Sequence, residues 1–494
     1  MTKYEAYLKK VEELEAYKVL LSTYYYDFRT IAPNDGKATS RKLASIIETK
    51  AYELENDPEL EVLMKELIDD KSLDEEIRLE IELSLKRIQK NKMPVEVFAA
   101  GNIAMAEAEI AWEKAKKAKD YNLFKNEFKR VVDFKKQAIK YRNSSLTTYD
   151  ELLDDFEPGS NMKMFDEFFD LLKKELVPLI KEVNKNKHIV SDDCIMIDIP
   201  ITTQKKAVEV LREYLGFNHS FGYLSESEHP FSNMITPNDI RITTNYLENN
   251  ISSTLFSVAH EIGHALYSHN VSYPFLGSNK ESLISMGMHE SESRLFENCL
   301  ARSYSFWEYL YPKLQEVVCE FKNVSLDEFY LAINKAGSSL IRTEADELTY
   351  AIHVMIRYEL EKEFINGEVD FDNLNKRWNE LYDEYLGVKP SNDGEGILQD
   401  IHWCDTYGYF PTYALGSAIA AQIYHHMQEK LNVDELLKQG EFYKIVEWLR
   451  DNIQKYGGLY NYDAILNKAL GESFNPQYYI DYLKEKFTKI YQLK

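Results

Sequence analysis

Cysteine is scarce. The chain has four in 494 residues, Cys194, Cys299, Cys319 and Cys404, and none forms a C-x-x-C pair. So few thiols in so long a chain exclude a disulfide framework and predict a reducing compartment, with the cytoplasm as the default. No run of 18 apolar residues occurs, so no transmembrane helix is expected. The opening Met1-Thr-Lys-Tyr-Glu-Ala-Tyr-Leu-Lys-Lys is charged from the outset and has no apolar core, so no secretory leader is expected. Glycine (19) and proline (13) are sparse, and no linker, tandem repeat or low-complexity tract interrupts the chain. Positive charge is outnumbered: 59 Lys and Arg stand against 82 Asp and Glu, a net charge of −23. That balance argues against nucleic acid and anionic membrane surfaces as partners.

What is present is an ordinary apolar fraction of 44%, enough for a large buried core. The length fits two domains or one helical body with two lobes. Residues 1–190 read as amphipathic helices rich in Glu, Lys, Leu and Ala, with apolar residues recurring at three and four. A turn cluster is expected from Tyr24 to Gly36, with a new helix from Ala38, and a second break from Tyr149 to Gly159, where an acidic run reads as a solvated, helix-capping loop. Over 191–250 the texture becomes β-branched: Cys194-Ile-Met-Ile-Asp-Ile-Pro-Ile201, Phe221–Leu224 and Asp239–Tyr246 are strand candidates. They predict a small sheet whose free edge suits an extended peptide. Helices resume over 251–494.

One stretch carries chemistry. Ser257-Val-Ala-His260-Glu261-Ile-Gly-His264-Ala-Leu-Tyr267 holds H-E-x-x-H in an apolar, helical context. Residues four apart on a helix lie about 40° apart on one face, so the two imidazoles can share one tetrahedral ion. Glu261, beside the first of them, is placed to take a proton from an attacking water rather than to bind the ion. The same pattern also fits a helix with two hydrogen-bonded histidines and a surface acid. Gly263 and Ala265 permit close approach by another element.

A catalytic site of this type needs a third protein ligand. His269, five residues after His264, points about 140° away. Better candidates lie in Met286-Gly-Met-His289-Glu290-Ser-Glu292-Ser-Arg294-Leu-Phe-Glu297-Asn298, which reads as a second helix at a distance suited to antiparallel packing. Its period groups Glu290, Arg294 and Glu297 on one face and turns Glu292 away. Glu290 on that face fits either a metal ligand or an ion pair with Arg294 at i+4.

These residues closely resemble the carboxypeptidase Taq family of metallocarboxypeptidases. Its H-E-x-x-H matches His260–His264, its H-E-S-x-S-R matches His289–Arg294, and its D-x-R-x-T matches Asp239–Thr243. Ile341-Arg342-Thr-Glu-Ala-Asp346-Glu-Leu matches an I-R-T segment, Gly396-Ile-Leu-Gln399-Asp400-Ile-His402-Trp403 matches G-x-x-Q-D-x-H-W, and Gly408–Gly416 matches the element that follows. Weaker likeness reaches His229-Pro-Phe231 and the Leu152–Gly159 stretch. Before residue 100 it thins: Tyr26-Asp27 stands where the family often has Trp-Asp.

The resemblance implies a mostly α fold: a large two-lobed helical body around a deep groove, with a sheet of two or three strands next to the metal-binding helix. The expected organisation is a helical part over 1–190, a β-containing segment over 191–250 and a helical catalytic part over 251–494, integrated into one two-lobed domain. It makes Glu290 the third ligand of one divalent ion, with zinc favoured and cobalt or manganese accepted by the same donors. It implies release of single residues from peptide C-termini by a homodimer. Holding a C-terminal carboxylate calls for a guanidinium. Arg342, after an apolar run, is favoured over Arg241, and an ion pair of Arg342 with Asp346 is the structural alternative. His402, Tyr409, Tyr413 and His229 are candidate donors to the oxyanion or the substrate. Asp346 and Asp400 could orient a ligand histidine or cap helices. An endo-acting or dipeptide-releasing metallopeptidase would share the same first ligands, and a non-catalytic helical protein with a structural metal is the remaining alternative.

Overall fold

The computed structural model describes residues 1–142 and 144–494. Among them helices dominate, in the order α1 Lys3–Thr30, α2 Asn34–Glu55, α3 Pro58–Ile68, α4 Glu75–Lys90, α5 Val95–Ala118, α6 Lys125–Ile139, α7 Thr148–Phe156, α8 Met162–Lys185 and α9 Ile201–Leu215. Strands β1 Gly222–Glu226, β2 Ser232–Thr236 and β3 Asp239–Thr244 follow. Then come α10 Ile251–Asn270, α11 Met286–Arg294, α12 Tyr304–Val317, α13 Leu326–Ile333, α14 Tyr350–Asn366, α15 Leu374–Leu386, α16 Phe410–Leu431, α17 Val433–Gln439, α18 Phe442–Asn452, α19 Tyr462–Leu470 and α20 Gln477–Ile490. No helix of the described residues is long and apolar enough to cross a membrane. The fold is mostly α with one small sheet, as the pattern predicts.

Three local expectations are corrected. The turn expected from Tyr24 does not form. α1 runs on to Thr30, and only Ile31–Pro33 breaks it, because Pro33 lacks an N–H and disfavours helix at Ala32. Tyr26 stays helical through tertiary contacts: its hydroxyl bonds the Ser225 hydroxyl at 2.6 Å and its ring underlies the Arg241 guanidinium. The acidic run Glu151–Asp155 is helical, not a loop. Thr147 caps α7, and Arg142 and Lys90 neutralise Glu151, Asp154 and Asp155. The break waits for Glu157-Pro158-Gly159, with Gly159 at φ +89°. Cys194–Ile201 is no strand. Ile195 and Ile199 are buried, but Ile199 N–H donates to the Glu248 carbonyl without a ladder around it, and Pro200 starts α9. Apolar alternation supplied the burial, and no partner strand supplied the hydrogen bonds.

The sheet order is β1-β3-β2, with β1 parallel and β2 antiparallel to the central β3. Ile240 and Ile242 of β3 are fully buried, and the strand packs on α10. On the far side of β2, the Ser22 hydroxyl of α1 donates to the Met234 carbonyl at 2.9 Å.

One large apolar cluster joins elements from α5 to α20, and a smaller one (Tyr7, Val11, Leu60, Met64, Leu67, Ile81, Leu85) lies among α1, α3 and α4. α4 is tied to the larger body by Lys90 to Asp155 (2.9 Å) and by Arg87 to the Ser282 carbonyl (3.2 Å). α10 is sunk in the large cluster through Leu255, Phe256, Val258, Ile262 and Leu266. Each such burial contributes about 1.5–3 kcal/mol, enough together to hold Glu261 buried and His260 and His264 partly exposed.

Candidate metal centre and substrate groove

α10 and α11 pack closely, and their contacts fix the direction: His260 meets Glu297 while His264 meets His289, so the helices run antiparallel. Glycine allows the approach. A Cβ on Gly263 would lie 2.7 Å from the Glu292 carbonyl oxygen, and one on Gly416 of α16 would lie 2.7 Å from Glu290 Cβ. Beyond Arg294 the chain continues as a π-helical turn, Leu295–Leu300, a widening often found at functional sites. Glu290, Arg294 and Glu297 are thereby linked on one face, while Glu292 turns away to accept from Gln454 at 2.9 Å.

His260, His264 and Glu290 present donor atoms that all lie within 4.8 Å of one another. Glu290 Oε2 is 3.7 Å from His260 Nε2 and 3.4 Å from His264 Nε2. Donors about 2.0–2.1 Å from a tetrahedral ion stand about 3.3–3.4 Å apart, so two imidazoles and one carboxylate here fit a divalent ion in spacing and in chemistry. His269 is elsewhere: its ring stacks on Phe221 and its Nδ1 lies 2.9 Å from the Pro237 carbonyl.

The outer nitrogens are held. His260 Nδ1 is 2.9 Å from Glu297 Oε2. Burial pushes the Glu297 carboxyl up, but Arg294, His260 and Arg302 outweigh it and bring it down to about 2. It is therefore an acceptor, and Nδ1–H donates. His264 Nδ1 is 2.6 Å from His289 Nδ1, and His289 Nε2 faces Ser268 Oγ at 3.3 Å and Glu281 at 3.6 Å. Burial holds His264 down to about 3, the neutral form that a metal ligand requires. Burial opposes ionisation of Glu290, yet Arg294 (2.6 Å away), His260 and His264 keep its carboxyl well below the carboxylate range. Glu261 has no such cation. Burial, with Glu290 and Glu297 nearby, raises it to about 7 against the pull of His260, the range suited to exchanging a proton near neutrality.

A chain of contacts leads from Glu290 to the second site. The Arg294 guanidinium lies over the Tyr350 ring at 4.0 Å, and Tyr350 Oη is 3.3 Å from Arg342 Nη1. Arg342 is buried and pairs with Asp400, not Asp346: Nε is 3.0 Å and Nη2 2.9 Å from Oδ1. Arg357 takes the other oxygen at 2.6 Å, and Gln399 Oε1 accepts from Arg357 and from the Arg342 amide. Two guanidiniums against one carboxylate leave one positive charge. Asp346 instead caps the turn before α14, accepting from the Gly337, Leu348 and Thr349 amides.

His402, Tyr409 and Tyr413 form a cluster beside Arg342. His402 Nε2 is 3.4 Å from Tyr413 Oη, the Tyr409 and Tyr413 rings are 4.9 Å apart, and the Arg342 guanidinium is 5.3 Å from the Tyr413 ring. Burial and then Arg342 lower His402 to about 4, and its buried Nδ1 has no partner. Neutral His402 is an available donor. Burial raises Tyr409 to about 12, so its hydroxyl keeps its proton.

Arg241 and His229 are not brought into this cluster. Arg241 pairs with Asp239 at 2.7 Å, and His229 is exposed in the β1–β2 loop. Sequence reasoning missed Tyr350, and it named His289 within a motif and placed Glu297 on the inward face without giving either a role. For Glu297 the legible signal was its position seven residues after Glu290; for Tyr350, nothing short of the fold brings it to Arg342.

Comparison with known proteins places the chain in a family. The sequence matches the family described as carboxypeptidase Taq (M32) metallopeptidase over residues 6–487. It is 37% identical over 492 residues to carboxypeptidase 1 of Bacillus subtilis (strain 168), covering 98% of this chain and 97% of that one. It is 33% identical over 399 residues to thermostable carboxypeptidase 1 of Thermus thermophilus, 78% of each chain. The crystal structure of an M32 carboxypeptidase from Deinococcus radiodurans R1 superposes with a TM-score of 0.96 at 26% identity, with full coverage of both chains.

Proposed function

The chain belongs to the carboxypeptidase Taq (M32) family and is a metallocarboxypeptidase acting on peptides, and we propose how its residues divide the work. The observation that carries the reading is the contact chain joining a His/His/Glu donor set to a buried cationic pair, Arg342 and Arg357 on Asp400.

His260, His264 and Glu290 would hold one divalent ion, which we take to be zinc; cobalt and manganese suit the same donors. When bound, such an ion polarises the scissile carbonyl and lowers the pKa of water. Glu261 is the general base: it takes the proton of the attacking water and delivers it to the leaving amine. Arg342 receives the substrate's C-terminal carboxylate through the guanidinium edge that Asp400 leaves free, so the last peptide bond is the one presented. His402, Tyr409 and Tyr413 donate hydrogen bonds to the oxygen on which negative charge develops. Arg241 and His229 belong to the sheet side of the peptide's path. The enzyme acts as a homodimer, on the strength of the family likeness, and in the cytoplasm, in keeping with its unpaired cysteines.

The test is a defined peptide and its C-terminally amidated copy, digested alongside metal analysis of the purified protein. Stepwise loss of residues from the free acid and none from the amide is expected, with one divalent ion per chain. Unchanged internal cleavage of the amide rejects the reading in favour of an endopeptidase.

A further inference from the structure

Beside the metal centre lies a cavity of about 730 Å³ that the chemistry above does not use. Its apolar lining comes from four directions: Leu83 on α4, Phe156 at the end of α7, Leu283 and Met286 leading into α11, and Leu459 with Ala464 at α19. Its charged residues are already matched. Lys86 pairs with Glu82 at 2.6 Å, Lys90 with Asp155 at 2.9 Å, and Arg87 with Glu55 at 3.4 Å. No spare charge faces the cavity to hold an anion, so its occupant is an uncharged apolar group.

The position of the cavity says which group. Met286 and Glu290 are four residues apart on α11 and share a face. Side chains on a helix lean towards its N-terminus, which carries half-buried Met286 into the cavity. Arg294, four residues on the other side of Glu290, leads through Tyr350 to Arg342. The carboxylate stop and the cavity therefore lie at opposite ends of α11 about the metal ligand. A peptide whose C-terminus is fixed at Arg342 extends its N-terminal part towards Met286. Four helical residues span about 6 Å, and an extended peptide advances about 3.3 Å per residue. The mouth of the cavity is then two residues beyond the one whose carbonyl is attacked. Phe156 links the two regions: its ring meets Tyr409 edge-on at 5.0 Å, and Tyr409 in turn meets Tyr413.

We infer that this cavity is a specificity subsite for an apolar side chain on the third residue N-terminal to the scissile bond. The assignment rests on the carboxypeptidase reading and adds a preference upstream of the residue released. The experiment uses acetylated tetrapeptides that share their last three residues and carry Gly or Phe at the first, the third N-terminal to the scissile bond, with an acetylated dipeptide too short to reach the cavity. The holoenzyme is compared with Ala464→Trp and Leu83→Trp, which fill the cavity from opposite walls and touch neither the metal ligands nor Arg342. For the natural chain, kcat/KM is expected to be about tenfold higher for Phe than for Gly. The Trp variants should lose that ratio and cleave the dipeptide at the natural rate. Equal values for Gly and Phe in the natural chain overturn the inference, as does a preference retained by both variants. If the natural chain removes no residue from any of these free-acid peptides, the carboxypeptidase reading itself fails, and the subsite with it.

Discussion

Glu297 Oε2 lies 2.9 Å from His260 Nδ1, and this contact leaves His260 Nε2 facing the oxygen of Glu290 that also faces His264. The carboxylate fixes the tautomer and the ring plane together. Glu297→Gln should keep the fold and weaken affinity for the divalent ion by about 10–100-fold. Competition with a chelator of known affinity measures it, and unchanged affinity would mean that Glu297 serves only Arg294 and Arg302.

Glu261 is buried and accepts no side-chain cation of its own. Glu261→Gln preserves shape and removes the proton acceptor. It should bind the ion as the natural chain does and lose about 10²–10⁴-fold in kcat. Metal content and single-turnover hydrolysis on the same sample check this; turnover near the natural rate would reassign the base.

Arg342→Ala leaves Asp400 paired with Arg357, so the fold should persist. Loss of two charge-assisted hydrogen bonds, about 1.5–3 kcal/mol each, predicts a fall in kcat/KM on the order of 100-fold or more. The ratio between free-acid and amidated peptides should collapse towards one. A ratio that survives in this variant places the stop elsewhere.

Gly416→Ala would set a methyl 2.7 Å from Glu290 Cβ. Overpacking of this kind costs about 1–3 kcal/mol, and here the atom that must yield belongs to a proposed metal ligand. A lower melting temperature together with weaker ion binding is expected. Normal ion affinity in a normally folded variant would show that α16 and α11 can separate freely.

Glu361 is fully buried and accepts from Tyr149 Oη and the Gly408 amide, both at 2.9 Å, while its other oxygen has no partner. Burial raises its carboxyl to about 8. The folded state therefore prefers the protonated form, so its contribution is fully present below the unfolded value near 4.5 and is lost as pH rises towards 8. A tenfold difference in proton affinity between the folded and unfolded chain is worth about 1.4 kcal/mol. Glu361→Gln should match the natural chain in thermal midpoint at about pH 4.5–5 and exceed it increasingly up to about pH 8–9. Parallel curves over that range would refute the assignment.

Much of the chain could be read in advance. Helical periodicity over 1–190 and 251–494, the β texture of 221–246 and the His260-Glu-x-x-His264 spacing are local patterns, and helix geometry alone converts i, i+4 into a shared face. The errors were local readings overruled by tertiary contacts: Tyr26 held helical by Ser225 and Arg241, Glu151–Asp155 held helical by Arg142 and Lys90, and Cys194–Ile201 left without a strand to pair with. Sequence distance also suggested that α11 returns along α10, because a loop of that length permits it.

By itself the sequence determined which residue types are available and which helix face each occupies, since both follow from period and propensity. It named Glu290 but left its partner open, because an acid four residues before an arginine suits either a metal or an ion pair. Tertiary structure shows that the two contacts are compatible, one carboxylate oxygen on Arg294 and the other turned to the histidines. It also decided that Arg342 pairs with Asp400 rather than Asp346, and that Tyr350 joins the two sites. Those pairings link residues up to 58 positions apart, and burial makes each depend on every charge that folding brings near it, which no local pattern encodes.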